Sequence, residues 1–383
     1  MNTGEPSVLH AFAPHRALAI CSPLADDWDA FVLCHPQGHL LQLAAWARLK
    51  AAFGWSVQRI AVIAPTGIHT NTTSDTAVPG HSAQPIIVAG AQVLFRQRYG
   101  VSMAYVPRGP LLAGDATIDA LLLATLVRRV RRQRAVFLRL EPNILEDDPQ
   151  ADAWHTWLLL QGFQPASPIQ PRSSIHLDLT LPIERLFAGF SKGHRADIRR
   201  AERTGLQVRV GTVDDVPIFA EMMRVTGARA GFSVHNEAYY RQAHTLFQAR
   251  RCLLLAEQEA QVVAGHMVFA DSHGGLYLYS GATELGLKSG ANHCLQWYAM
   301  RWAQEQGCRY YDLWGIPDAL GRAVLTADPS ERAVLEAEAR HDPLIGVYRF
   351  KRGFGGRIVR YLPAYDWVYL APLYALWKKR FHP

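Results

Sequence analysis

The sequence predicts a mixed α+β chain folded as two related domains, on three observations. At 383 residues it is longer than one ordinary core, and about 150 residues per domain makes two the expectation. Hydrophobic residues at 49% against charged residues at 19% can fill two cores and exclude a disordered tail. Both halves also run through one order of helices, successive strands, a helix and a strand, which implies mixed, mainly antiparallel sheets.

In the first half, Trp28 to Leu33 opens an amphipathic stretch, and residues 41–50 (LQLAAWARLK) repeat apolar side chains at helical spacing. Residues 57–63 alternate as a strand. Residues 65–85, rich in Thr, Ser, Pro and Gly, read as a loop flanked by strands at 86–95 and 103–106. A helix over 117–134 ends in Arg128, Arg129, Arg131, Arg132 and Arg134, followed by a strand at 136–140 and a helix at 154–161. The second half begins with a strand at 174–179, a helix at 184–190 and a basic helix at 193–204 closed by Gly205. A strand at 206–210 and helices at 216–229 and 239–248 follow. Strands at 252–257, 261–270 and 274–280, a helix at 291–306 and a strand at 310–314 complete the order. No short-period repeat is present.

A net charge of +7 favours a polyanionic partner, whether nucleic acid, a phosphorylated substrate or an anionic membrane. Only six of the 40 basic residues are lysines (Lys50, Lys192, Lys288, Lys351, Lys378, Lys379), so a retained lysine marks a place where a compact ammonium is preferred to a rigid fork. The five cysteines form no C-x-x-C pair, which predicts reduced thiols rather than a zinc site or disulfide framework. The N-terminus lacks a basic start followed by a sustained apolar run, and no window approaches 18 uninterrupted apolar residues. A cytoplasmic protein is expected, without a metal and as a monomer.

Standard catalytic signatures are missing: no G-x-S-x-G, no H-E-x-x-H, no Walker loop and no dinucleotide fingerprint. The meander, helix and strand of the second half match the order of the GNAT N-acyltransferase fold. In that fold a loop usually carrying Arg/Gln-x-x-Gly-x-Gly/Ala holds the coenzyme A pyrophosphate. Here the loop runs from Gly281 to Ala291, with glycines at other spacings and no leading Arg or Gln. Acyl-CoA is therefore not the expected donor.

A more specific resemblance runs through most of the chain. Its segments are Leu41-Gln42 through Trp46 to Lys50; Tyr105-Val106-Pro107-Arg108-Gly109-Pro110; Gln170-Pro171-Arg172; and Lys192 through His194-Arg195 to Ala201. Arg229-Ala230-Gly231-Phe232 with Tyr239-Tyr240 follow, then residues 311–317 (YDLWGIP) and 346–356 (GVYRFKRGFGG). In this order they resemble the Fem (FemABX) family of peptidoglycan interpeptide-bridge aminoacyltransferases, of the compact, armless type. The resemblance implies two tandem GNAT-like domains, residues 1–165 plus 360–383 and residues 166–359.

It also implies the chemistry: an amino acid moves from aminoacyl-tRNA, as co-substrate and with no cofactor, to the stem-peptide amine of a peptidoglycan precursor, either lipid II or UDP-MurNAc-pentapeptide. Amine attack on an activated ester needs orientation and a donor at the developing oxyanion more than a protein nucleophile. By resemblance Lys351 supplies that donor and Phe350 stacks on the tRNA acceptor end. Lys50 and Arg195, with Arg199 one turn away, would hold the precursor's diphosphate. Tyr239 or Tyr240 would meet the substrate peptide, and Arg108 would contact substrate or brace a loop. Asp115 stands two residues beyond the place where the family often has an aspartate, and no general base is evident. The arginines at 128–134 offer a surface for tRNA phosphates, and residues 369–381 could rest on the inner membrane surface or pack on domain one. An acyl-CoA-dependent N-acyltransferase, tRNA-dependent aminoacylation of another amine and a non-catalytic RNA-binding protein are the alternatives.

Overall fold

A computed structural model describes residues 18–65, 86–98, 100–231 and 233–381. The N-terminal stretch searched for a leader, nearly all of the 65–85 loop, and Phe232 lie outside the described residues.

The chain first lays down β1 (Ala19–Cys21), β2 (Ser56–Ala64), β3 (Ile86–Arg98), β4 (Val101–Val106), β5 (Ala135–Leu140) and β6 (Gln164–Ala166). It then forms β7 (Ser173–Asp178), β8 (Gln207–Val210), β9 (Arg251–Gln258), β10 (Gln261–Ala270), β11 (Gly274–Ala282), β12 (Tyr310–Asp312) and β13 (Arg357–Arg360). The last strand, β14 (Ala364–Val368), returns to the first group. The sheets are ordered β1-β2-β3-β4-β5-β14-β6 and β13-β7-β12-β11-β10-β9-β8.

Read strand by strand, the two sheets are the same object. In each, three antiparallel steps (β1-β2-β3-β4 and β8-β9-β10-β11) lead to one parallel pair, β4 with β5 and β11 with β12. An antiparallel strand then flanks the parallel pair, β14 in one sheet and β7 in the other. This is a mixed α+β fold with two GNAT-like sheets. β14 is held by a buried bidentate ion pair, Arg139 Nε and Nη2 donating to Asp366 at 2.8 and 2.7 Å, and Tyr374 Oη donates to the same carboxylate at 2.6 Å. The C-terminal helix (Ala371–Phe381) is thereby tied to the first sheet.

Strand alternation sorts the second sheet's side chains onto two faces. On β9, Cys252, Leu254 and Ala256 face a core with the helices Lys192–Arg203 and Ala291–Glu305. Leu253 and Leu255 face the other way, toward the helices Val216–Ala230 and Glu237–Phe247. That second core also takes Trp28, Leu41, Trp46, Leu49, Leu94 and Tyr105 from the first sheet's side, so one hydrophobic core joins the two sheets. The β10–β11 turn adds polar clasps: Asp271 Oδ2 accepts from Leu40 N at 3.0 Å and His273 Nε2 meets His35 O at 2.8 Å. The opposite face of the first sheet packs on the helix Ala116–Arg132.

Candidate active site

Lys50 stands near the end of the helix Ala44–Ala52, at the seam between the sheets. Its Nζ donates to Tyr239 Oη at 3.0 Å and lies 4.6 Å from the Trp46 ring centre and 5.1 Å from that of Tyr239. Tyr239 Oη in turn meets Tyr279 Oη at 3.3 Å, while Tyr240 is buried with its hydroxyl unpartnered. Burial foremost, and then the nearby Arg96 guanidinium, push Lys50 down to about 8. Arg96, at the end of β3, packs over the Trp55 ring at 5.6 Å and donates to Phe53 O.

From this pair of cations a groove of about 1120 Å³ runs along the first sheet. Its walls are largely apolar: Trp46, Trp55, Leu94, Met103, Phe137 and Ile169, closed by Leu373, Leu376 and Trp377 of the C-terminal helix. Tyr105 and Gln170, both from family-like segments, also line it. Behind Tyr105 the carboxylate of Glu141 accepts from the Tyr105 hydroxyl and from the amides of Ile169 and Gln170. Burial raises Glu141 above the usual carboxylate range.

The second constellation lies where the chain leaves the end of β12. Lys351, on the helix Ile345–Arg352, is buried at 5% exposure. Its Nζ donates to Gly315 O at 2.7 Å and Trp314 O at 3.0 Å, which leaves one donor of an ammonium uncommitted. Burial pushes it down to about 7, against the pull of Asp312. Asp312 is fully buried: it accepts from Ser174 Oγ and, at 2.6 Å, from Trp314 N, with His176 Nε2 3.4 Å away. Although burial opposes it, His176 foremost and these hydrogen bonds hold Asp312 well below its ordinary value. Trp314 is thereby kept at φ 63°, a left-handed conformation rare for a large side chain. Phe350 is half-buried against His293, Phe354 and His194, with ring centres 5.0, 5.1 and 5.8 Å away.

The structure brings Lys50, Tyr239 and Tyr240 together, and places Lys351 and Phe350 on one helix. It does not bring Lys50 and Arg195 together. Arg195 belongs to the Lys192–Arg203 helix, on the face opposite Tyr239, and donates through Nη1 to Ala188 O at 2.8 Å and to Phe190 O. Arg199 is exposed with its guanidinium 5.4 Å from the Phe187 ring centre. The second cation beside Lys50 is Arg96. Of its two readings Arg108 takes the bracing one: it is buried, stacks 3.7 Å from the Tyr361 ring centre and donates to Pro171 O at 3.0 Å, bracing the passage between sheets. Asp115 is spent capping the helix Ala116–Arg132, accepting from Thr117 N and Ile118 N.

The 281–291 loop uses its glycines for packing. A Cβ at Gly286 would meet Val263 O at 2.1 Å, and one at Gly290, where φ is +82°, would meet Asp197 O at 2.9 Å. Among the described residues no group of His, Cys, Asp or Glu is arranged to hold a metal ion, and no helix is long and apolar enough to cross a membrane.

Over residues 24–261 and 255–379 the chain matches the FemAB family. It belongs to that family. This FemAB chain is 30% identical over 227 residues to a lipid II:glycine glycyltransferase of Staphylococcus saprophyticus, 55% of this chain and 49% of that protein. It is 28% identical over 226 residues to the enzyme of the same name from Staphylococcus aureus, covering 56% and 49%. The matched region thus spans about half the length of these curated relatives. In fold it is similar to the crystal structure of FemX, with a TM-score of 0.73 at 20% identity, covering 94% of this chain and 99% of that one.

Sequence reasoning missed three parts of the candidate site: Arg96, the Glu141–Tyr105 pair, and the His176–Asp312 pair. Glu141 had a usable signal, an acid directly after the apolar strand 136–140. Arg96 had none, being one arginine among many at a strand end.

Proposed function

We propose that this FemAB protein transfers an amino acid from aminoacyl-tRNA to the stem-peptide amine of a lipid-linked peptidoglycan precursor, working at the cytoplasmic side of the membrane without a resident cofactor. The observation that carries this reading is the pair of neighbouring cations, Lys50 and Arg96, at the head of a long groove. Two like charges side by side favour an anion between them, and a diphosphate can engage both an ammonium and a fork. The relatives' name supplies the precursor class, lipid II, and glycine as the first amino acid to test.

In the proposed reaction the acceptor amine nitrogen attacks the ester carbonyl carbon. The bond from that carbon to the tRNA ribose oxygen breaks, and the amine's proton ends on the departing ribose hydroxyl. Lys351 fixes the Trp314–Gly315 turn and turns its remaining donor toward the oxyanion. Phe350 closes the same side, where the tRNA end would arrive. Transfer from charged tRNA into a lipid-extractable product is the test. RNase treatment of the donor should abolish it, and product formed from acyl-CoA alone would overturn the reading in favour of coenzyme A chemistry.

A further inference from the structure

The groove is too apolar for its head alone. Below Lys50 and Arg96 it passes Met103, Leu373, Leu376 and Trp377, an apolar wall on which Gln97, Arg98, Ser102 and Gln170 are the polar neighbours. Leu373 and Leu376 are 41% and 64% exposed on the C-terminal helix. Isolated exposed leucines are ordinary; two lining one groove beside Met103 and Trp377 extend its apolar wall to the outer surface. Lys378 and Lys379 are exposed on the same helix.

We propose that this groove binds the isoprenoid chain of a membrane-resident isoprenyl diphosphate, with the diphosphate between Lys50 and Arg96 and the first isoprene units against Met103, Leu373, Leu376 and Trp377. The inference rests on the function proposed above and deepens it: the acceptor is recognised by its lipid as well as its peptide. Charge complementarity at the head and apolar matching along the wall together describe an amphiphilic anion. An apolar chain alone would leave the cations uncompensated, and a nucleotide diphosphate would leave the apolar wall wet. The exposed leucines and lysines then meet the membrane at the point where the chain leaves the groove.

The test is direct binding by calorimetry, with inorganic pyrophosphate, geranyl diphosphate, farnesyl diphosphate and farnesol as probes, all below micelle-forming concentrations. Each added isoprene unit is expected to tighten binding by about tenfold, a fraction of what full burial of five carbons would give. Farnesol should bind at least about tenfold more weakly than farnesyl diphosphate. Leu376→Glu, at an exposed position, should weaken farnesyl diphosphate by about tenfold or more and leave pyrophosphate unchanged. Arg96→Gln should weaken every diphosphate and leave farnesol unchanged. Equal affinity for pyrophosphate and farnesyl diphosphate, or for farnesol and farnesyl diphosphate, overturns the proposal. So does sedimentation showing that Leu376→Glu splits a dimer while lipid binding stays flat, which would make the strip an interface between copies. Chain-length dependence without any transfer activity would sink the proposed reaction and keep the groove; transfer with no chain-length dependence would do the reverse.

Discussion

Half-buried Lys50 and buried Lys351 both have depressed proton affinities, and each makes a separate prediction. Lys50, at about 8, must be charged to hold a diphosphate, so kcat/KM for the acceptor should fall as pH rises through about 8. Lys50→Arg should move that limb beyond the measurable range, because a guanidinium keeps its proton; a limb unmoved by the substitution would remove Lys50 from the binding step. For Lys351 the folded value of about 7 lies below the ordinary 10.5, so between those pH values unfolding takes up a proton. Its charging penalty is felt in full below about pH 7 and is relieved as pH rises toward 10.5. The difference in urea midpoint between the parent and Lys351→Met should therefore grow in the parent's favour from pH 7 to pH 10. In single-turnover transfer Lys351→Ala should lower the rate by roughly 10²–10³-fold, the usual loss of one oxyanion donor. Full activity in that variant would remove Lys351 from the chemistry.

At the scale of elements, periodicity located most of the chain. The 261–270 strand and the 291–306 helix appear as β10 and Ala291–Glu305 because one face of each packs in a core. Two departures have local causes. Residues 41–50 read as one helix, but the chain breaks at Leu43 into a 3-10 turn (Leu40–Gln42) and a helix. There Asp29 Oδ1 accepts from Ala44 N at 2.6 Å and caps the new helix from a distance. The 310–314 strand stops at Asp312 because that carboxylate takes the Trp314 amide out of the ladder. Site residues were less legible than elements. The pairing of Lys50 with Arg96 is set by how β3 lies beside a helix end, and Arg195 is drawn off by two carbonyls near its own helix; no spacing encodes either. The C-terminal strand carries a prediction of its own. Removing one partner of the Arg139–Asp366 pair strands a buried charge, so Asp366→Ala should cost about 3–5 kcal/mol in the unfolding transition of the first sheet. A midpoint unchanged in urea would show that β14 is held by packing alone.

At the scale of the whole molecule, two sheets of one topology share a hydrophobic core. Trp46 and Tyr239 at the head of the groove and Trp314 beside Lys351 all pack on the core that joins the two sheets. The exposed arginines at the end of the helix Ala116–Arg132, Arg128, Arg131 and Arg132, add a third basic surface. If it meets tRNA phosphates, the donor's KM should rise steeply with salt, and changing those three to Gln should flatten the salt dependence by up to about three counterions' worth. An unchanged slope would mean that the surface is only solvated. The most direct measurement of the central claim is the mass of the precursor after the protein is incubated with charged total tRNA and, separately, with the lipid-linked and the nucleotide-linked acceptor. The expected result is a mass gain of one amino-acid residue on the stem peptide, faster on the lipid-linked acceptor; folded protein that leaves both precursors unmodified would overturn the proposed transfer.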